Sequence, residues 1–164
     1  MAMRIGVLSD THVPDRQASI PGSILEGLQG VDLIVHAGDL TCLDVLSVLE
    51  KIALVRAVCG NMDSPEVRSK LGETLVFEVC GKSIAVMHGS GSPAETENRA
   101  RSSFPDADVV IFGHTHRPFV EYRGKTLLLN PGPASGCLYC KPSYAILRLE
   151  DDGEKLPTAQ IYRL

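Results

Sequence analysis

The chain has 164 residues, 44% of them hydrophobic and 22% charged, with a formal net charge of −4 and an isoelectric point near 5.7. That length and mixture suit one soluble domain, residues 1–164, which hides roughly 70% of the unfolded surface on folding; neither a disulfide framework nor low-complexity disorder is expected. The acidic balance argues against holding nucleic acid or an anionic membrane by overall charge, and no basic groove or series of base-stacking aromatics is apparent.

The five cysteines (Cys42, Cys59, Cys80, Cys137, Cys140) are odd in number and scattered, and three lie in apolar or half-apolar runs. Reduced thiols and a cytoplasmic location are therefore expected. Met1-Ala2-Met3-Arg4 leads straight into a strand-like run, so no secretory signal is visible. The apolar stretches are far shorter than the ~20 residues that span a bilayer, and no membrane is expected.

In chain order, Met3 to Ser9 is continuously apolar and stops abruptly at Asp10-Thr11-His12, the pattern of a buried parallel strand. Ile24, Leu25 and Leu28 recur at helical spacing within Ile20 to Leu28, and Val31 to Ala37 is a second buried strand ending at Gly38-Asp39. Leu43, Leu46 and Leu49 predict a second helix, and Ala53 to Cys59 a third strand ending at Gly60-Asn61-Met62-Asp63. This alternation implies parallel strands joined by right-handed crossovers. After a short helical piece opened by Ser64-Pro65-Glu66, Thr74 to Cys80 and Ser83 to Met87 flank Gly81-Lys82 as a hairpin whose second arm ends at His88-Gly89. Ser92-Pro93-Ala94-Glu95 carries a capping box with proline at the first helical position, predicting a helix to about Ser103. Asp108 to Phe112 is another buried strand, stopping at Gly113-His114-Thr115-His116. Phe119 to Tyr122, Thr126 to Leu129, Ser143 to Leu149 and Ala159 to Tyr162 predict an antiparallel, strand-rich end whose edges could pair with a second copy, a homo-oligomer.

Five times, then, a buried strand stops and metal-ligand residue types follow: Asp10 and His12, Asp39, Asn61, His88, and His114 with His116. Ligands bind at the carboxyl edge of open α/β sheets, where topology gathers residues distant in sequence. Turn polarity or capping explains any one of these fragments alone. Five in order, each closing a strand, point to a metal site. Two carboxylates, one amide oxygen and four imidazoles are too many ligands for one ion that must also keep a water, and suit two. Ions about 3.5 to 4 Å apart need a bridging carboxylate, and Asp39, alone on the central strand, is the natural bridge. The resulting local positive charge attracts phosphate. Mixed imidazole and carboxylate donors favour divalent Mn, Fe, Zn, Ni or Co over Mg, with manganese placed first.

The order Asp-x-His, Gly-Asp, Gly-Asn-x-Asp, His-Gly, Gly-His-x-His resembles the calcineurin-like metallophosphoesterase superfamily, and the small size and the Asn130-Pro131-Gly132 turn resemble its single-domain YfcE-like branch. The resemblance spans Asp10 to His116. It implies an α/β fold, a four-layer αββα sandwich of mixed sheets. It also implies a dinuclear metal-dependent phosphoesterase, hydrolysing phosphodiester or phosphomonoester bonds of a small substrate by in-line attack of a metal-bridging hydroxide. Carried over by position, Asp10, His12, Asp39 and His116 would hold the first metal. Asp39, Asn61, His88 and His114 would hold the second, with Asn61 also touching a phosphate oxygen.

Two positions depart from the superfamily pattern. Many members have a histidine after the Gly-Asn pair that protonates the leaving oxygen; here Met62 offers no proton. General acid catalysis contributes about 10² to 10⁴-fold, so alkoxide-like leaving groups are expected to turn over weakly and aryl esters better, and diesters are favoured over monoesters. At Ser90 some relatives place a further histidine. His36, inside the second strand, reads as a hydrogen-bonded core group behind the ligands. Asp63 reads equally as a carboxylate orienting a neighbour or as a helix cap. Cys137 and Cys140 have the spacing of redox or zinc pairs without the accompanying signals of either. Arg99, Arg101, Arg117 and Arg123 are surface arginines, of which Arg117 is best placed to dock a substrate. The competing function is a non-catalytic interaction scaffold of the same fold, like the retromer scaffold subunit. Scaffold relatives have lost ligands, whereas all seven residue types stand here.

Overall fold

The computed structural model describes residues 2–164. In chain order these form β1 (Ala2–Leu8), α1 (Gly22–Gly27), β2 (Leu33–His36), α2 (Asp44–Glu50), β3 (Leu54–Ala57), α3 (Pro65–Lys70), β4 (Thr74–Val79), β5 (Lys82–Met87), α4 (Pro93–Ser103), β6 (Val109–Ile111), β7 (Phe119–Arg123), β8 (Thr126–Asn130), β9 (Ser143–Glu150) and β10 (Thr158–Arg163). The apolar runs become two five-stranded mixed sheets, ordered β10-β9-β1-β2-β3 and β4-β5-β6-β8-β7. β1, β2 and β3 are parallel neighbours, as their alternation with α1 and α2 predicts.

Period-two alternation explains the layering. Ile5, Val7 and Val35 of the first sheet meet Ile84, Val86, Ile111, Leu127 and Leu129 of the second in a shared core. On its other face the first sheet presents Leu8, Ile34 and Ile146 to Ile24 and Leu28 at α1, Val45 and Leu49 of α2 and Val67 of α3. The second sheet presents Ala85, Val110, Phe112 and Leu128 to Ala100 of α4. Helices therefore cover both outer faces, giving the expected αββα order. At α4 the Ser92 hydroxyl accepts the Glu95 N–H while the Glu95 carboxylate accepts the Ser92 N–H, the reciprocal cap written in the sequence. Among the described residues no helix is long and apolar enough to cross a membrane.

Two expectations need correction. The strand-rich end is not one antiparallel unit: β9 and β10 join the first sheet, while β7 and β8 join the second, where β8 runs parallel to β6. Moreover β1, not β2, is the middle strand of the first sheet, because β9 pairs with the free side of β1. Local periodicity identifies a strand but carries no information about which distant strand lies beside it.

Candidate metal centre

The two sheets end together at one rim. Asp10, His12, Asp39 and Asn61 follow β1, β2 and β3 of one sheet, and His88, His114 and His116 follow β5 and β6 of the other. Among the described residues seven other than glycine have positive φ, and five of them are candidates: Asp10, His12, Asp39, His114 and His116. A left-handed residue other than glycine costs ~1–2 kcal/mol, so conformational strain is concentrated where the chain turns its polar side chains back over the sheet ends.

Asp10, His12 and His116 place ligand-type atoms within 4.8 Å of one another, and so do Asp10, Asp39 and His88. Asp10 Oδ1 lies 3.3 Å from His116 Nε2, 3.6 Å from His12 Nε2 and 3.8 Å from His88 Nε2. Asp39 Oδ2 lies 3.0 Å from His88 Nε2 and 3.7 Å from His12 Nε2. Asp10 is thus the carboxylate common to both groups, while Asp39 Oδ2 faces a histidine from each. The imidazoles themselves pair edge to face, His12 with His116 at 5.7 Å and His88 with His114 at 5.5 Å between centroids.

In Asp10, Asp39 and His88 the protein ties up one polar atom and leaves the other facing the cluster. Asp10 Oδ2 accepts from the Ser9 hydroxyl and the His114 N–H, and Asp39 Oδ1 accepts from the Met62 N–H. His88 Nδ1–H donates to the Ala37 carbonyl at 2.7 Å, which leaves the Nε2 lone pair facing the cluster. Asp10 Oδ1, both nitrogens of His12 and His88 Nε2 are buried without a hydrogen-bond partner among the described residues. Native interiors rarely leave such atoms unsatisfied, and a cation is the partner this donor set fits. Burial alone raises the Asp10 carboxyl, but the His116 and His12 imidazoles and the charge of His88 outweigh it and hold the group well below the usual carboxylate range. Asp39 is lowered likewise, burial being opposed chiefly by His88. For His88 burial acts downward, yet the Asp39 and Asp10 carboxylates raise it.

The two remaining candidates stand at the adjoining wall. His114 Nε2 bonds the Gly91 carbonyl at 3.0 Å, with the ring against His88. Asn61 lines a cleft of about 350 Å³ with His88, Gly60, Ser90, Thr74 and Arg68. Gly60 is required where it stands, since a Cβ there would lie 2.2 Å from Asp39 Oδ1.

The structure also settles the open residues. Asp63 is not the cap of α3, a role Ser64 fills. Its buried carboxylate accepts the backbone N–H of Asp39 (3.0 Å), Thr41 (2.7 Å) and Gly60 (2.6 Å), locking two candidate turns together. Arg68, which motif reading passes over, donates to the Asn61 carbonyl at 2.6 Å and the Asp63 carbonyl at 3.1 Å. Its only sequence signal was a position at the end of the helix that follows the Gly-Asn turn. Arg99 and Arg123 are engaged by Ser90 and by Asn98 and Glu121, and Arg101 by the Pro105 carbonyl. Cys137 and Cys140, whose spacing alone assigned them no role, are joined as a disulfide, while Cys42, Cys59 and Cys80 are free.

The model of the calcineurin-like phosphoesterase superfamily domain matches residues 3–152. The chain belongs to this superfamily. A probable metallophosphoesterase of Methanothermobacter thermautotrophicus is 40% identical over 98% of this chain and 92% of its own. A phosphodiesterase of Methanocaldococcus jannaschii is 29% identical over 90% of this chain and 94% of its own. Among solved structures, Vps29 of Entamoeba histolytica complexed with Zn²⁺ superposes with a TM-score of 0.78 at 26% identity, covering 98% of this chain and 99% of the other. Family membership and the two Asp and His clusters together support a phosphoesterase with residues able to bind metal.

Proposed function

We propose that this chain is a cytoplasmic, single-domain, dinuclear metal-dependent phosphoesterase that prefers phosphodiesters. The observation that carries the reading is the set of buried, unpartnered donor atoms from both sheets converging on one rim. Asp10, His12, Asp39 and His116 would hold one divalent ion, and Asp39, Asn61, His88 and His114 the other, a division supported by the pairing of His12 with His116 and of His88 with His114. The position of Asp39 Oδ2 between His12 and His88 suits a bridging carboxylate. When bound, two such ions, Mn first among Mn, Fe, Zn, Ni and Co, supply charge neutralisation at phosphoryl oxygens and a lowered pKa for water, suited to in-line displacement.

The protein's own groups do the rest. Asp10, Asp39 and His88 are fixed by Ser9, Met62 and Ala37, so the site is organised before substrate arrives. Asn61 is held through its backbone by Arg68 and lines the cleft wall, which supports its touching a phosphate oxygen. Met62 is 48% exposed and cannot protonate a leaving group, which favours esters whose leaving group departs as an anion. The relative named a phosphodiesterase supports the diester preference.

The competing scaffold reading draws on the Vps29 likeness. Since one Vps29 is described with Zn²⁺, metal binding alone does not separate the two readings; turnover does. The test is metal analysis of the purified protein together with hydrolysis of bis(4-nitrophenyl) phosphate and 4-nitrophenyl phosphate with Mn²⁺, Zn²⁺, Ni²⁺ or Co²⁺. Metal-dependent hydrolysis, faster on the diester and lost in Asp39→Asn, is expected. No hydrolysis with any of these metals overturns the reading in favour of the scaffold.

A further inference from the structure

We propose that His36, a group with no part in the chemistry above, is a positioning residue that sets the geometry of the Asp10 and Asp39 turns through Thr11. The proposal rests on the reading that Asp10, His12 and Asp39 hold metal. His36 closes β2 and is fully buried. Its Nδ1 accepts the Gly38 N–H at 3.1 Å, so that nitrogen carries the lone pair and the ring proton sits on Nε2. Nε2–H then donates to Thr11 Oγ1 at 3.2 Å, and the Thr11 hydroxyl donates onward to the Leu40 carbonyl at 3.4 Å. One neutral imidazole thereby touches the turn after β1 and the turn after β2 at once, and every polar atom in the chain of bonds has a partner.

Those turns are the ones that need holding. Asp10 and His12 on one side, and Gly38 and Asp39 on the other, all have positive φ. They are laced by Asp10 N–H to Gly38 O, His12 N–H to Asp39 O and Val13 N–H to Leu40 O. Backbone bonds fix the spacing of the turns. The imidazole adds a rigid strut between them, below the carboxylates. An aliphatic residue would be buried there without the cost of burying a polar ring, so the residue type answers to the two hydrogen bonds. Thr11 is buried, and its hydroxyl is engaged on one side by His36 and on the other by the Leu40 carbonyl.

The experiment compares wild type with Thr11→Val, which removes the hydroxyl at constant shape, Thr11→Ser, which keeps it, and His36→Phe. Mn²⁺ dissociation constants are measured by calorimetry, and melting is followed separately in chelator. Groups supporting metal ligands typically carry about 10 to 100-fold in affinity, so T11V and H36F should weaken Mn²⁺ binding by that factor while T11S stays within about threefold of wild type. Chelated T11V strands the buried His36 Nε2–H and should melt roughly 2–12 °C below wild type. Affinities are therefore measured at a temperature where every variant is folded; a merely structural role would leave Mn²⁺ binding there unchanged. If H36F fails to fold, the threonine pair decides. Wild type that binds no Mn²⁺ overturns the metal reading and this proposal with it. Wild type that binds Mn²⁺ while T11V binds it equally well overturns this proposal alone.

Discussion

Asp63→Asn is a sharp test of how the site is built. The native carboxylate receives three backbone N–H groups, two on Oδ2 from Asp39 and Gly60 and one on Oδ1 from Thr41. The best placement of an amide keeps its oxygen on the first two donors and turns its NH₂ toward the Thr41 N–H, donor against donor. Stranding that N–H and losing a charge-assisted bond costs about 2–3 kcal/mol, and the two surviving bonds weaken by ~1 kcal/mol each on going from charged to neutral. The sum, about 4–5 kcal/mol, is a large share of the ~5–15 kcal/mol that holds a typical domain. At roughly 2–4 °C per kcal/mol for a chain of this size, the melting midpoint in chelator should fall by roughly 8–20 °C. Mn²⁺ affinity, measured by calorimetry at a temperature where the variant is folded, should fall about 10 to 100-fold because the Asp39 turn loses its anchor. A variant that melts within about 2 °C of wild type and binds Mn²⁺ unchanged would refute the assignment of Asp63 as the clasp between the two turns.

Further outcomes follow from the same geometry. Mn²⁺ at ~100 times its dissociation constant adds about 2.7 kcal/mol to the folded state, so scanning fluorimetry should record a rise of roughly 5–11 °C that chelator reverses; an unmoved midpoint counts against the metal centre. His36 is pushed by burial from 6.5 down to about 3. Between those values the unfolded chain takes up a proton that the folded chain refuses, so this group removes stability as pH falls below 6.5, by up to about 1.4 kcal/mol per unit. Urea unfolding at pH 7 and 5 should therefore show a smaller loss in His36→Gln than in wild type, and equal losses would contradict the burial effect. Met62→His should raise hydrolysis of alkyl esters about 10 to 100-fold more than that of aryl esters, read as the ratio of kcat/KM values; an unchanged ratio removes the link between position 62 and the leaving group.

Much of the architecture was legible because each strand is a short apolar run cut off by polar residues. The stops at Asp10, Asp39, Asn61, His88 and His114 mark both the strand ends and the rim. The Ser92 to Glu95 cap was equally plain, its two bonds being local. What sequence could not supply is what depends on distant neighbours. The separation of β7 and β8 from β9 and β10 is one case. The carboxylate of Asp63 reaches back to residues 39 and 41, and Arg68 grips the backbone of Asn61, so neither role has a spacing to announce it. The shared position of Asp10 was hidden too, because proximity to His88 and His116 exists only once the two sheets are stacked.

That stacking gives the rim a mechanical meaning. Elsewhere the two sheets meet through aliphatic side chains, contacts that tolerate small slips because they have no preferred direction. At the rim they face one another through carboxylates and imidazoles whose bonds to an ion would be short and directional. A cation held there would act as a rivet through both leaves of the sandwich, and binding it would then tie the rigidity of the stacked layers to the completeness of the site.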